Sequence, residues 1–198
     1  MTTKTILLSF AVVAACRSEA ANSGAAPASA ESEVKRGEHL VLVSGCHDCH
    51  TPLKLGASGP EPDFARALSG HPADLEMPPV PALPPGPWIG VMSATNTAWA
   101  GPWGVSFTAN LTPDRETGTG SWTRQMFIDT IKNGRHMGVG RPLLPPMPFP
   151  MYKNYSAEDL GAIFAYLQSL PPIKNAVPAP RPPKVALATP AAATARSN

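Results

Sequence analysis

The sequence is short of cysteine, of charge and of long apolar runs, and each shortage excludes a class of protein. It holds three cysteines in 198 residues, its charged residues amount to 15%, and its formal net charge is +2. That charge is too small to indicate binding to nucleic acid or to an acidic partner. The apolar run over residues 6–15 is too short to span a bilayer as a stable helix.

Proline is abundant instead, with 25 residues, and glycine adds 16 more. Proline is excluded from helix interiors and central strands, so much of the chain must form loops or extended segments. We therefore expect one domain in which a few helices are joined by long loops. A large cofactor can supply the core that such a chain lacks.

The first residues have the pattern of an export signal. The apolar run ends in Val13-Ala14-Ala15-Cys16, which resembles a bacterial lipobox. This predicts a lipoprotein signal peptide over residues 1–15, a lipid on Cys16 and a flexible tether over residues 16–32. An ordinary signal peptide cut near Ala20 is the alternative. In both cases we expect the chain on the periplasmic side of a bacterial membrane, and in the first case anchored there by lipid.

The other two cysteines belong to the most informative motif, Cys46-His47-Asp48-Cys49-His50. A C-x-x-C-H segment is the attachment signal for a c-type haem. At this spacing each thiol can add to one vinyl group of the porphyrin, and the adjacent histidine is carried beneath the iron. The motif therefore predicts one haem c, attached through Cys46 and Cys49 and ligated by His50.

Two other uses of a C-x-x-C pair are disfavoured by the sequence. A thioredoxin-type dithiol belongs in a βαβ context, whereas this pair follows a predicted helix. A zinc site needs a second pair of ligands, and the sequence contains no second C-x-x-C. The remaining histidines are scattered and lack the spacing of a metal-binding pair.

The sixth ligand of the iron must come from another part of the chain, where loop methionines and histidines are the candidates. Met147 is favoured because prolines on both sides restrict its backbone and because it precedes the last predicted helix. Met151 and Met137 are the alternatives. A thioether ligand opposite His50 would favour ferrous iron and raise the reduction potential.

Hydrophobic periodicity and capping residues predict three helices. They cover about residues 33–44 (capped by Ser32 or Glu31), 122–133 (capped by Ser121) and 156–170 (capped by Ser156). Residues 51–87 are predicted to hold little regular structure, and residues 88–110 a short hairpin or irregular ribbon. The Pro/Ala-rich residues 173–198 are expected to form a disordered tail.

Taken together, these segments resemble the single-haem class I c-type cytochromes over about residues 33–172. The matching stretches are Lys35-Arg-Gly-Glu38, Gly45-Cys-His-Asp-Cys-His-Thr51, Asn110-Leu-Thr-Pro-Asp114, Gly120-Ser-Trp-Thr123, Pro145-Pro-Met-Pro-Phe-Pro150 and Asp159-Leu-Gly-Ala-Ile-Phe-Ala-Tyr-Leu167. They are similar to the larger cytochrome c domains associated with periplasmic alcohol and aldehyde dehydrogenases. The chain departs from small members of the family in the long insertion between His50 and Met147, which are 97 positions apart.

The resemblance implies a mainly α-helical fold around the haem, with Gly37 at a close crossing of the first and last helices. It implies Cys46 and Cys49 for attachment and His50 and Met147 as axial ligands. It leaves Arg135, Arg141 and the tryptophans as alternatives for contact with the haem propionates.

The implied function is single-electron transfer between redox proteins, such as a dehydrogenase donor and an oxidase or cytochrome acceptor. No catalytic residue is expected, because a six-coordinate iron leaves no open position for a substrate. Two other functions stay open. One is a cytochrome subunit of a dehydrogenase complex, and the other is a five-coordinate haem enzyme or gas sensor.

Overall fold

A computed structural model describes residues 29–83 and 87–183 of the chain. The predicted signal peptide, Cys16 and nearly all of the predicted tether lie outside the described residues. The helices are α1 (Ala30–Val43), α2 (Cys46–His50), α3 (Arg124–Asn133), α4 (Phe149–Tyr152) and α5 (Ala157–Ser169). The strands are β1 (Leu53–Gly56), β2 (Gly59–Pro62), β3 (Val91–Met92), β4 (Ala98–Gly101) and β5 (Gly104–Phe107).

The helix ends follow side-chain capping, although two of the predicted caps are wrong. The α5 cap is confirmed, because the Ser156 hydroxyl accepts a hydrogen bond from the Asp159 N–H. Helix α1 starts three residues earlier than predicted, because Ser29 accepts the Ser32 N–H and acts as the cap. Residues 30–32 therefore belong to this helix rather than to a tether. Helix α3 is capped by Thr123 instead of Ser121.

The core lies where α1, α3 and α5 meet. Its buried members are Val41, Leu68, Phe127, Ile128, Ile131, Leu160, Ile163, Phe164 and Leu167. Helices α1 and α5 cross at Gly37, as the resemblance predicts. A Cβ atom added there would collide with the Ala162 carbonyl and would lie 2.8 Å from the Tyr166 Cβ. The absence of a side chain at Gly37 thus allows the two backbones to touch.

Two small antiparallel sheets occupy the insertion between α2 and α3. Strands β1 and β2 form a hairpin in which Leu53 pairs with Pro62 and Gly56 with Gly59, and residues 57–58 form its tight turn. This hairpin corrects the prediction of little regular structure after the haem motif. Strands β3, β4 and β5 form a second sheet in sequential order, which extends the predicted hairpin by one strand. The described fold is therefore a helical core with peripheral β-structure, rather than a purely helical one.

The predicted disordered tail is wrong for its first part. Residues 173–183 run along the domain, and Asn175 is buried, with 4% of its surface exposed. Composition suggested disorder because frequent prolines interrupt helices and strands. The segment nevertheless forms hydrogen bonds with other loops, accepting one from Asn110 and donating others to Thr117 and Ser69. The rest of that predicted tail lies outside the described residues.

The α1–α5 crossing generates a stability prediction for Gly37→Ala. The added methyl group has no room, and overpacking of a core typically costs about 1–3 kcal/mol. We expect the free energy of unfolding, measured by denaturant titration, to fall by that amount. The control is Glu38→Ala on the exposed side of α1, which should stay within about 0.5 kcal/mol of the original. Equal stability of the two variants would contradict the close crossing.

Candidate functional site

The residues predicted to attach and ligate a haem line one cavity of about 860 Å³. Cys46, Cys49 and His50 contribute to its wall from α2, and Met147 contributes from the loop before α4. Core side chains of α1, α3 and α5 form another part of the wall, so the cavity opens directly onto the hydrophobic core. Its size lies in the range of sites that enclose a small molecule or cofactor.

Helix α2 holds the two thiols in a single short turn. Gly45 starts it in the left-handed conformation, with φ of 67°, which favours glycine. The turn is also held from outside, since the Asn96 side chain donates a hydrogen bond to the Asp48 carbonyl at 2.6 Å. Cys46 and Cys49 are free thiols and form no disulfide. Burial raises the pKa of Cys46 to about 11, so this thiol is protonated at neutral pH.

The His50 ring is fixed through one of its two nitrogens. Nδ1 lies 2.8 Å from the Ala109 carbonyl oxygen, a geometry in which Nδ1–H donates to that oxygen. This hydrogen bond leaves Nε2 as the nitrogen with a free lone pair, which is the form that binds a metal. Burial lowers the pKa of His50 and so favours the neutral imidazole.

The backbone of His50 is held by a second loop. The Gly70 N–H donates to the His50 carbonyl at 2.8 Å. Gly70 has a φ of 79°, and a Cβ there would lie 2.6 Å from the Ala109 carbonyl carbon. Only glycine allows this approach, so the two loops that touch His50 are also packed against each other.

Met147 lies on the cavity wall in a loop with several supports. Its N–H donates to the Leu144 carbonyl at 3.2 Å, and the Ser106 hydroxyl of β5 donates to the Pro145 carbonyl at 2.5 Å. The Pro145–Pro146 peptide is cis. Met147 is partly buried and packs against the hydrophobic core.

The two alternative methionines differ in their positions. Met137 also lines the cavity, whereas Met151 does not and has 71% of its surface exposed. His136 lines the cavity too, with its ring in edge-to-face contact with Trp122 at 5.2 Å between centroids. The cavity therefore contains the favoured ligand and one of its two methionine alternatives.

Two tyrosines that sequence reasoning missed connect the methionine side of the cavity to the cysteine side. The Tyr152 hydroxyl donates to the Ser44 carbonyl, and the Tyr155 hydroxyl shares a hydrogen bond of 2.6 Å with the Ser44 hydroxyl. Ser44 stands two residues before Cys46, while Tyr152 ends α4, shortly after Met147. A buried tyrosine needs a partner for its hydroxyl, but the sequence does not identify that partner.

The structure separates the two arginines proposed for propionate contact. Arg141 lines the cavity and is the one lysine or arginine of the described residues to do so. No carboxylate of the described residues lies within 4 Å of its guanidinium. Arg135 points elsewhere and donates to the Gly140 carbonyl at 2.9 Å. Trp122 is the one tryptophan of the described residues in the cavity wall.

The chemistry of the cavity fits a haem. It offers a mostly apolar wall, two free thiols with the C-x-x-C spacing, a histidine with one free nitrogen, a thioether and a cation. Within the described residues, no three His, Cys, Asp or Glu side chains form a group that could hold a metal ion.

The described helices include none that is both long and apolar enough to cross a bilayer.

Comparison with known proteins identifies several dehydrogenase subunits as relatives. The chain is 28% identical over 144 residues to the gluconate 2-dehydrogenase cytochrome c subunit of Pantoea cypripedii, covering 72% of this chain and 24% of the relative. It is 27% identical over 136 residues to the cytochrome c subunit of the quinone alcohol dehydrogenase of Gluconobacter oxydans, covering 69% and 21%. A nicotinate dehydrogenase subunit of Pseudomonas putida matches at 34% over 90 residues, covering 46% and 8%.

The chain spans a quarter or less of the length of each of these relatives. No protein-family model matches it. The resemblance predicted from the motifs is confirmed, since the chain is similar to the cytochrome c subunits of bacterial dehydrogenases.

Proposed function

We propose that the chain binds one haem c covalently and passes single electrons. The observation that carries this proposal is the shared cavity, which brings a C-x-x-C-H turn and a proline-braced methionine together across 97 positions of sequence. The similarity to cytochrome c subunits supports it independently. We propose that the helical core and its long loops form a cytochrome c-like fold around this group.

Each residue has a defined task in the proposal. Cys46 and Cys49 would hold the haem through thioether bonds, and His50 would bind the iron through Nε2 while the Ala109 carbonyl accepts the Nδ1–H. Met147 would supply the second ligand of the iron. The bound group supplies a ferric/ferrous couple, whose potential a thioether ligand raises. With both His50 and Met147 as ligands, the iron would have no open position for a substrate, and the site would serve to exchange electrons with its partners.

The partners are inferred from the relatives. Because several of these are subunits of dehydrogenases, we propose a dehydrogenase as electron donor and an oxidase or a second cytochrome as acceptor. A permanent place in a dehydrogenase complex has the same electron-transfer chemistry and differs only in assembly. Binding to a separate carrier would be weak and transient, through a small interface.

Substitution of Met147 tests the proposed ligand set. In the oxidised protein with its haem, we expect the weak far-red absorption band of an iron–thioether bond, and we expect Met147→Ala to abolish it. The reduction potential should fall, and the ferrous variant should bind carbon monoxide rapidly, because Met147 would no longer occupy a ligand position on the iron.

Met137→Ala and Met151→Ala are the matched controls, and both should keep the band. Loss of the band in Met137→Ala instead would transfer the ligand role to that residue. Rapid and complete carbon monoxide binding by the unmodified ferrous protein would contradict a six-coordinate electron carrier and favour the haem enzyme or gas sensor.

The cation in the cavity wall gives a second prediction. We propose that Arg141 pairs with a haem propionate, since this exposed arginine lies in the cavity wall and no carboxylate of the described residues lies within 4 Å of its guanidinium. Arg141→Gln should lower the reduction potential, because a positive charge near the iron disfavours the ferric state. Arg135→Gln removes the same charge outside the cavity and should cause a smaller shift. If spectroelectrochemical titration shows that both variants lower the reduction potential equally, Arg141 is not the specific partner of a propionate.

The predicted lipid anchor gives a third test, made in cells. We propose that Cys16 carries lipid and holds the domain at the periplasmic face of a membrane, where more than one acyl chain is needed for stable anchoring. Cys16→Ser should move the protein from the membrane fraction to the soluble fraction. Its haem content should not change, because Cys46 and Cys49 remain. Unchanged membrane association would disprove the lipid anchor.

A further inference from the structure

Residues 173–183, which follow α5, form a segment that we name the C-terminal strap. Its first half is tied to the loop that precedes α3. The Asn110 side chain donates to the Ile173 carbonyl at 2.8 Å, and the Ile173 N–H donates to the Thr112 hydroxyl at 3.1 Å. Next to them, the Asn175 N–H donates to the Thr117 hydroxyl at 2.9 Å.

Asn175 is the main anchor of the strap. Its side-chain amide donates to the Ser69 and His71 carbonyls at 2.7 and 2.8 Å, and its side-chain oxygen accepts the Ala73 N–H at 2.9 Å. All of these groups are backbone atoms of a single turn. Because Asn175 is buried, its loss would leave the buried Ser69 and His71 carbonyls without these hydrogen bonds.

The far end of the strap is attached to the second sheet. Arg181 and Val105 of β5 exchange two backbone hydrogen bonds, both of 2.9 Å. The Arg181 guanidinium also lies over the Phe107 ring, 5.6 Å from its centroid, a cation–π geometry. The strap is therefore held at both of its ends by hydrogen bonds to other parts of the domain.

The middle of the strap lines the cavity itself. Residues 176–180, with the sequence Ala-Val-Pro-Ala-Pro, all contribute to its wall. Pro178 and Pro180 have no N–H group, so this wall presents few hydrogen-bond donors. Such a surface suits an apolar ring and poorly accommodates water.

The strap also contacts both loops that position His50. The turn bound by Asn175 contains Gly70, whose N–H donates to the His50 carbonyl. The residue that binds Ile173, Asn110, directly follows Ala109, whose carbonyl accepts the His50 Nδ1–H. Two short hydrogen-bonded paths thus run from the strap to the candidate ligand.

We propose that the C-terminal strap contributes directly to the properties of the haem site. It excludes water from one side of the cavity and holds the two loops that position His50. This inference rests on the proposed function, since it assigns the strap a role toward the haem. Exclusion of water disfavours the more highly charged ferric state, so the strap raises the reduction potential.

The test compares neighbouring residues of the strap in the full chain with its covalent haem. Asn175→Ala removes the anchor, and we expect a lower reduction potential by spectroelectrochemistry. Lys174→Arg is the matched control, because this side chain is exposed and the substitution keeps the positive charge beside Glu116. It should keep the original potential.

A second variant leaves the anchors intact. Val177→Ser places a hydroxyl on the cavity wall and should lower the potential by a smaller amount than Asn175→Ala. If both variants keep the original potential while Asn175→Ala only unfolds at lower temperature, the strap is a structural attachment and the inference is wrong. If the wild-type chain carries no covalent haem, the proposed function itself is wrong. Failure of the proposed function can therefore be distinguished from failure of the inference about the strap.

Discussion

The hydrogen bond between the His50 ring and the Ala109 carbonyl is the contact on which the candidate site depends. It selects the imidazole nitrogen that faces the cavity, and a histidine free to rotate could not bind iron with fixed geometry. The chain maintains this bond from several directions. Gly70 approaches the Ala109 backbone and binds the His50 carbonyl, and Asn110 fastens the same loop to the C-terminal strap.

The long insertion after the haem motif supplies the residues that hold His50 in a fixed orientation. Ala109 and Gly70 both belong to it, and so does Asn96, which supports the turn carrying the two cysteines. On the other side, Tyr152 and Tyr155 connect the segment after Met147 to Ser44 beside that turn. The turn that carries His50 and the segment that carries Met147 are thus connected by hydrogen bonds within the protein. Their separation is therefore set by the protein as well as by the haem.

Much of the site could be predicted from the sequence, because its chemistry is local. The C-x-x-C-H spacing and the proline-braced Met147 are readable in short segments, as are the periodicity of α5 and the Gly37 crossing that the resemblance implied. The missed features depend on distant partners. The Ser44–Tyr152 contact joins residues 108 positions apart, and the Asn175–Ser69 contact joins residues 106 apart. The strap was taken for a disordered tail because its order comes from those partners and not from its own composition.

The most direct test of the central claim is the intact mass of the chain produced in a bacterium that matures c-type cytochromes. We expect an increase equal to one haem per chain that survives denaturation and acid–acetone extraction. The increase should be absent when Cys46 and Cys49 are both replaced by alanine. A wild-type chain without added mass, or with haem that acid–acetone removes, would contradict covalent attachment at this site.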